Sequence, residues 1–291
     1  MSGGEAIALA SRTGEPWPGP PRVVPGSPEL AYWREGEAGP RLLLIMGLAM
    51  PGRVWRPQVE GLRSDHRLLF FDHRGIGASA HRGGGWDLKD LARDALRLMD
   101  AEGWADAHVV GVSLGGMVAQ ELALQAPERV RSLVLLATHA GDPRAKVVGA
   151  RALREILLMQ ILPAQRRFAA LHRLLYPAPF LAEVDRGALL RRTADQLAER
   201  AAPSVLFRQL WAVLRFDTRG RLDRLDRPSL VMTAGQDLLV PPSTTDRLAR
   251  RIGGARLVRF EEAGHGLIFQ VAGKVNQTIR EFVRDHETAP A

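Results

Sequence analysis

Short apolar runs alternate along the chain with longer segments in which apolar residues recur at helical spacing. Several runs, such as residues 42–45, are continuous rather than alternating, which is typical of strands covered on both faces in a parallel sheet. The runs predict strands at 31–34, 41–46, 67–72, 108–111, 130–138, 229–233 and 256–260. The amphipathic segments predict helices at 87–102, 114–126, 243–252 and 271–286. This alternation predicts an α/β fold with a mostly parallel sheet.

Two stretches depart from this alternation. Residues 1–28 are rich in proline and glycine and predict an extended or turn-rich lead-in. From residue 139 to residue 227 the strand-like runs stop, and helical spacing appears at 150–162, 165–175, 186–200 and 204–215. We therefore divide the chain into the lead-in, a core formed by 29–138 and 228–291, and a helical insertion at 139–227, called the insertion below.

The composition excludes several classes of protein. Of the 291 residues, 46% are apolar and 25% are charged, close to the averages of globular domains and unlike a disordered or membrane chain. The longest apolar stretch, residues 42–50, is far shorter than the ~20 residues of a membrane-spanning helix. No secretory signal is visible at the amino terminus, so we expect a soluble cytoplasmic protein. The chain has no cysteine, which excludes disulfides, thiolate metal sites and cysteine nucleophiles.

The net charge of +8 and the pI near 10.9 raise the question of nucleic-acid binding. The insertion holds 17 Arg or Lys against 9 Asp or Glu, whereas the rest of the chain holds 23 of each, so the whole excess lies in the insertion. No DNA- or RNA-binding motif accompanies these residues, and we predict no nucleic-acid partner. The arginines either attract an anionic substrate or, the interpretation we favour, form solvated helix faces.

The pentapeptide Gly111-Val112-Ser113-Leu114-Gly115 links a predicted strand to a predicted helix. A serine between two glycines in this context is the pattern of a nucleophile on a sharp, strained turn, which has no room for side chains two positions away on either side. The alternative, a serine in an ordinary glycine-rich turn, fits this context less well. We predict that Ser113 is a catalytic nucleophile and that the turn is supported by Gly111, Gly115 and Gly116.

A serine nucleophile needs a base, and the base needs an orienting acid. His265 lies in a glycine-flanked loop between a predicted strand and the last helix, and Asp237 follows another predicted strand. The order Ser113, Asp237, His265 is the order of one hydrolase fold. Asp142 is the alternative acid, and Asp237 could instead cap a turn or a helix.

The other histidines are weaker candidates for the base. His73 and His139 follow predicted strands and stay second choices. We expect surface roles for the remaining five, which are His66, His81, His108, His172 and His286.

Acyl transfer also needs hydrogen-bond donors for the oxyanion of the tetrahedral intermediate. We predict the backbone N–H of Leu114, which directly follows the nucleophile, and that of Leu48, which follows Gly47 after a predicted strand. For the substrate pocket we predict Met117, His139, Met159, Trp211, Leu239 and Leu267.

These elements together resemble the α/β-hydrolase superfamily over nearly the full chain. The resemblance rests on the glycine loop at Gly47, on the glycine-rich turn at 72–79, on the serine turn and on the glycines beside the predicted acid and base. It implies an eight-stranded, mostly parallel sheet flanked by helices, with the insertion as a helical cap over the active site. It also implies a serine hydrolase that needs no metal and no cofactor.

Two features indicate which branches of the superfamily the chain resembles and which it does not. Met46-Gly47 stands where many members have His-Gly, which resembles a branch containing esterases of polyketide methyl esters. A serine rather than an aspartate nucleophile argues against haloalkane dehalogenases and epoxide hydrolases. We expect hydrolysis of a medium-sized, mainly apolar carboxylic ester through an acyl-enzyme.

The same residues leave other chemistries open. Within hydrolases these are thioesterase, lactonase, proline iminopeptidase, carbon–carbon hydrolase and cofactor-free perhydrolase activities. A natural-product cyclase or lyase could keep the pocket and bypass the serine, and a ligand-binding receptor could keep the triad. As partner we expect a small-molecule ester, with no membrane span, and the chain is either a monomer or a homodimer.

Overall fold

The computed structural model of the chain describes residues 17–80, 83–146, 149, 152, 154–155, 163–196 and 201–287. One sheet has the strand order β1-β2-β4-β3-β5-β6-β7-β8. The strands are β1 (Arg22–Val24), β2 (Leu30–Glu35), β3 (Arg41–Ile45), β4 (Arg67–Phe71), β5 (Ala107–Val112), β6 (Val130–Leu136), β7 (Ser229–Ala234) and β8 (Arg256–Phe260). β2 pairs antiparallel with β1 and β4, and all other pairs are parallel. The predicted eight-stranded, mostly parallel sheet is confirmed.

Helices cover both faces of this sheet. They are α1 (Arg56–Leu62), α2 (Leu88–Ala101), α3 (Leu114–Gln125), α4 (Ala164–Leu175), α5 (Ala178–Glu183), α6 (Arg186–Gln196), α7 (Pro203–Arg215), α8 (Pro242–Arg251), α9 (Leu267–Gln270) and α10 (Ala272–Glu287). α2, α3 and α8 contribute to the core on one face, and α1 and α10 to the core on the other.

The central strands are apolar throughout because both of their faces are buried. In β3, Leu43 and Ile45 belong to the core under α2 and α3, whereas Leu42 and Leu44 belong to the core under α1 and α10. All four side chains are fully buried. This two-sided burial is why the run is continuous in the sequence instead of alternating.

The four predicted core helices are confirmed to within one residue at each end by α2, α3, α8 and α10. Four short elements have no prediction: β1, α1, α5 and α9. β1 lies in the proline-rich lead-in, and only Val24 of its three residues is buried. The helices α1, α5 and α9 have seven, six and four residues, too few for an amphipathic period to be recognised.

Four helices, α4 to α7, lie between β6 and β7 in the described part of the insertion. α4, α6 and α7 correspond to the helices predicted at 165–175, 186–200 and 204–215, whereas the one predicted at 150–162 lies mainly outside the described residues. A hydrogen bond of 2.7 Å joins His172 Nε2 on α4 to Thr193 Oγ1 on α6. The threonine hydroxyl donates to the carbonyl of Leu189, so it accepts from the histidine.

The predicted surface role is wrong for three of the five histidines, because their side chains are buried. His66, His108 and His172 are 3%, 0% and 6% exposed. The side chain of His108 is 2.7 Å from both Ser132 Oγ and Glu287 Oε2, so polar partners compensate its burial. His81 lies outside the described residues, and His286 is half-buried at the end of α10. None of the described helices is both long and apolar enough to cross a bilayer.

A buried ion pair fixes the loop after β4 to α2. Both oxygens of Asp94, whose side chain is 1% exposed, accept from Arg74 at 2.6 and 2.7 Å. Arg97 adds a third hydrogen bond of 3.2 Å. The carboxylate is therefore fully used by two arginines.

We predict that Asp94→Ala lowers the free energy of unfolding by about 1.5–3 kcal/mol, because the partly buried Arg74 and Arg97 lose their hydrogen bonds to this carboxylate. The matched control is Asp100→Ala on the same helix, whose carboxylate is 63% exposed and pairs with Arg129. For this control we expect a loss below about 1 kcal/mol. Urea unfolding of both variants checks the prediction, and equal losses would contradict it.

Candidate active site

Ser113 forms the turn between β5 and α3. Its backbone has φ 55° and ψ −121°, a conformation that a residue with a side chain adopts only under strain. Hydrogen bonds hold it there: its N–H donates to the carbonyl of Leu136 at 2.9 Å, and its own carbonyl accepts from Thr138 Oγ1 at 2.8 Å. The serine side chain is thereby presented at the carboxyl ends of the parallel strands, where ligand sites in α/β sheets form.

Two glycines make this turn sterically possible. A Cβ on Gly111 would overlap the carbonyl of Gly115, and a Cβ on Gly115 would overlap the carbonyl of Ile45 at the end of β3. Gly116 is also tightly packed, because a Cβ there would lie 2.6 Å from Thr138 Cγ2. The predicted need for small residues around Ser113 therefore has a structural explanation in the close approach of β3, β5 and α3.

Asp237 and His265 meet beyond the ends of β7 and β8. Asp237 Oδ2 lies 2.7 Å from His265 Nδ1, and the two side chains are 1% and 10% exposed. Asp237 Oδ1 accepts from the backbone N–H groups of Leu239 and Val240 at 2.8 and 2.9 Å. One carboxylate oxygen thus fixes the loop and the other orients the imidazole. With Nδ1 as the donor, Nε2 is left as the basic nitrogen.

The alternative acid, Asp142, is engaged elsewhere. Its Oδ2 accepts from Arg247 Nε at 2.7 Å, and its Oδ1 accepts from the N–H of Arg144. Burial alone would raise the pKa of Asp142, but the Arg144 N–H and the Arg247 guanidinium together hold that pKa below its ordinary value. The structure thus brings Asp237, and not Asp142, to the histidine.

Residues of the insertion support the loop that carries His265. The N–H of Gly266 donates to the carbonyl of Leu175 at the end of α4, at 3.0 Å. A Cβ on Gly266 would overlap the ring of Tyr176. On the other side of the histidine, Gly264 N–H donates to Gln270 Oε1 at 2.9 Å. Among the described residues, Ser113 Oγ and His265 share no hydrogen bond, and the polar contact of the imidazole is with Asp237.

The two predicted oxyanion donors are available. β3 and β5 are neighbours with Ile45 opposite Gly111, so the loop after β3 lies beside the serine turn. A Cβ on Gly47 would lie 3.5 Å from Ser113 Cβ. Within the described ranges, no acceptor is found for the backbone N–H of Leu48 or of Leu114.

Sequence reasoning missed one residue of this site and undervalued another. Gln209 on α7 is fully buried, and its Oε1 accepts from the N–H of Ala49 at 2.7 Å. At the other end of the same loop, His73 Nε2 lies 2.9 Å from the carbonyl of Met46. Burial lowers the pKa of His73, which favours the neutral ring. The loop from Met46 to Ala49 is thus held by side chains at both ends.

The sequence pattern of α7 does not indicate that Gln209 is buried. Leu206, Leu210 and Leu214 recur at helical spacing, yet these three are exposed, and Gln209 is buried together with Val205 and Ala212. The sequence does mark His73 as a candidate site residue, because it directly follows a predicted strand. Its hydrogen-bond partner, the carbonyl of Met46, could not be predicted from the sequence.

Five of the six predicted pocket residues lie in the part of the chain that the structure describes. Met117, His139 and Leu267 are buried in the packing around the site, and Leu239 is half-buried in the Asp237 loop. Met159 lies outside the described residues. The prediction for Trp211 needs correction, because its side chain is 52% exposed. It lines an outer cleft of about 870 Å³ to which neither Ser113 nor His265 contributes. It faces outward because α7 buries the opposite face.

No group of three His, Asp or Glu side chains in the described ranges is arranged to hold a metal ion.

Comparisons with known proteins agree with this architecture. A family model described as alpha/beta hydrolase fold matches residues 40–271. A protein of Azorhizobium caulinodans named "Putative carbamate hydrolase RutD" is 35% identical over 243 residues, which are 82% of this chain and 89% of the relative. A hydrolase from Pseudomonas aeruginosa has a TM-score of 0.76 at 30% identity, covering 90% of this chain and 98% of that one. An esterase from Thermogutta terrifontis has a TM-score of 0.75 at 25% identity, covering 90% and 95%.

We predict that Gln209→Met speeds amide hydrogen exchange at Ala49 by about ten-fold, the equivalent of one hydrogen bond. Gln209 Nε2 is buried without a partner, so a methionine of similar shape should leave the thermal midpoint little changed. The control is Gln277→Met on α10, whose exposed side chain bonds Glu281. Exchange at Ala49 that stays at the wild-type rate would show that Gln209 does not hold the loop.

Proposed function

Because the chain belongs to the α/β-hydrolase family, we propose that it is a serine hydrolase in which Ser113 is the nucleophile, His265 the base and Asp237 the orienting acid. The observation that carries this proposal is the 2.7 Å bond between Asp237 Oδ2 and His265 Nδ1. That bond leaves Nε2 free to accept a proton, in a site that also presents a strained serine.

The proposed reaction has two halves. In the first, His265 Nε2 takes the proton of Ser113 Oγ as the oxygen attacks the substrate carbonyl, and the N–H groups of Leu48 and Leu114 stabilise the oxyanion. The imidazolium then gives its proton to the leaving oxygen, and an acyl-enzyme remains. In the second half, His265 takes a proton from water and the resulting hydroxide attacks the acyl carbon. The bond from that carbon to Ser113 Oγ then breaks, the imidazolium returns its proton to Ser113, and the carboxylic acid leaves.

We infer that the inserted helices α4 to α7 form a cap that completes this site. Two contacts support the inference: the Leu175 carbonyl at the end of α4 accepts from Gly266 beside the base, and Gln209 on α7 accepts from Ala49 in the oxyanion loop. Two of the loops that carry proposed catalytic groups, the His265 loop and the oxyanion loop, are thus bonded to the insertion. Preorganised catalysis requires that the oxyanion donors and the base are held in fixed positions.

For the substrate we propose a mainly apolar carboxylic ester. Tyr176, Phe180 and Phe269 pack together beside the His265 loop with ring centroids 5.1 to 6.3 Å apart, which favours an apolar group near the base. The structural similarity to the esterase of Thermogutta terrifontis supports the same bond type. A carbamate is the second candidate, because the relative with 35% identity is named for carbamate hydrolysis. Attack by Ser113 would give an acyl-serine from an ester and a carbamoyl-serine from a carbamate.

We predict that Ser113→Ala lowers kcat/KM by about 10⁴-fold or more on a series of p-nitrophenyl esters and on a p-nitrophenyl carbamate. The series separates the two candidate substrates through their relative kcat/KM in the wild-type protein. Ser243→Ala, at an exposed serine in the first turn of α8, is the control and should keep full activity.

Two outcomes of this assay would contradict the proposed function. Turnover retained in Ser113→Ala would point to chemistry that bypasses the serine, as in a cyclase or lyase. Tight binding of the esters by the wild-type protein without turnover would point to a receptor.

We also predict that Asp237→Asn lowers kcat by about 10⁴-fold, since an amide cannot stabilise the imidazolium and favours the wrong tautomer. The amide oxygen can still accept from Leu239 and Val240, so the thermal midpoint should stay close to that of the wild type. Asp142→Asn is the matched control, with a mild effect expected. Steady-state kinetics on both variants checks the prediction, and a mild defect in Asp237→Asn would refute this assignment of the acid.

A further inference from the structure

Helix α7 turns its large apolar side chains toward solvent. Its outward residues Leu206, Phe207, Leu210, Trp211 and Leu214 are 36%, 66%, 44%, 52% and 50% exposed. Its buried face consists of Val205, Gln209 and Ala212. A surface helix normally has the opposite arrangement, with the apolar stripe facing the core.

The five exposed residues, which we call the α7 face, form one continuous surface. At 100° per residue they fall within a single arc of the helix, and Phe207 stacks on Trp211 with ring centroids 6.5 Å apart. Only two other large apolar side chains in the described part of the chain, Val23 and Leu257, are exposed. A contiguous apolar patch of this kind marks an interaction site.

Cations border the α7 face. Arg208 and Arg215 lie along one edge of the helix, and Lys89 lies across the adjoining cleft. None of the three forms a salt bridge with a described residue, and the Arg215 guanidinium lies 5.9 Å from the ring centroid of Trp211. The cleft is lined by four carboxylates: Glu121 pairs with Arg221, Asp90 with Arg93 and Asp217 with Arg219, whereas Asp87 accepts from backbone N–H groups at the start of α2. Among the described residues, three cations and one carboxylate beside the apolar residues have no salt-bridge partner, so the unpaired charge is net positive.

We propose that the α7 face docks on an anionic lipid surface. Aromatic and leucine side chains on one face of a helix, edged by arginine, are the features of a helix that lies in the plane of a bilayer interface. The insertion that carries this helix holds the entire excess positive charge of the chain, which complements anionic headgroups.

The same charge disfavours a second copy as the occupant. Two α7 faces in contact would bring two insertions together, each with 17 basic and 9 acidic residues. Like charges placed opposite each other oppose association. With an anionic surface, by contrast, every arginine that approaches increases the electrostatic attraction. Docking would also bring the site that accepts apolar esters close to a phase in which such esters concentrate.

The test measures binding of the full chain to vesicles by co-sedimentation. Vesicles of phosphatidylcholine with phosphatidylglycerol should bind the protein, with an affinity that falls as salt rises, and vesicles of phosphatidylcholine alone should bind it much more weakly. The double substitution Arg208→Gln and Arg215→Gln should weaken binding to the anionic vesicles about 30-fold, because each arginine near an anionic surface contributes about 1 kcal/mol to the free energy of binding.

The apolar part of the α7 face is tested by Phe207→Gln with Trp211→Gln, which should weaken binding by at least about ten-fold. Leu257→Gln, at an exposed apolar position on the edge strand β8 and outside the α7 face, is the control and should bind like the wild type. Circular dichroism and the thermal midpoint confirm that each variant is folded.

Several results would overturn the proposal. One is equal binding to neutral and anionic vesicles, or none to either; another is binding that the α7 substitutions leave unchanged. A dimer detected by light scattering and dissolved by the Phe207 and Trp211 substitutions would assign the α7 face to a second copy instead. Because the readout is vesicle binding, these results are independent of whether Ser113 proves to be a nucleophile.

Discussion

The packing of the serine turn against the end of β3 is the constraint on which the site depends. Gly115 lies so close to the carbonyl of Ile45 that no side chain fits between them, and the backbone of Ser113 is held in a strained conformation by hydrogen bonds from β6 and the segment that follows it. The parallel pairing of β3 with β5 brings Gly47 beside the serine. The nucleophile and the two proposed oxyanion donors are therefore placed by one piece of backbone packing.

Polar contacts then attach the remaining parts of the site to this centre. One oxygen of Asp237 accepts from its own loop and the other lies at His265, so the proposed acid and base are positioned together. The insertion contributes at two points, through Leu175 to the histidine loop and through Gln209 to the oxyanion loop. A fold whose catalytic groups come from separate loops needs such links, because small displacements of these groups cost catalysis.

The sequence was most informative where burial or backbone geometry restricts residue type. The apolar strands, the core helices and the glycines around Ser113 could be predicted because few other residues fit these positions. Gln209 could not, since α7 buries this glutamine with two small apolar residues and exposes its leucines, whereas the usual amphipathic rule places the large apolar residues inside. Trp211 was assigned to the pocket as an apolar residue of the insertion, and it lies instead on the exposed side of α7. The short elements β1 and α9 lack the length over which a period can be recognised.

The most direct test of the central claim, that Ser113 is an activated nucleophile, is intact-protein mass spectrometry after treatment with a fluorophosphonate, followed by peptide mapping. The account predicts one adduct per chain, located on Ser113 and missing in Ser113→Ala, with much slower labelling in His265→Ala because the serine then lacks its base. Native protein that takes up no adduct, or an adduct that persists in Ser113→Ala, would contradict it.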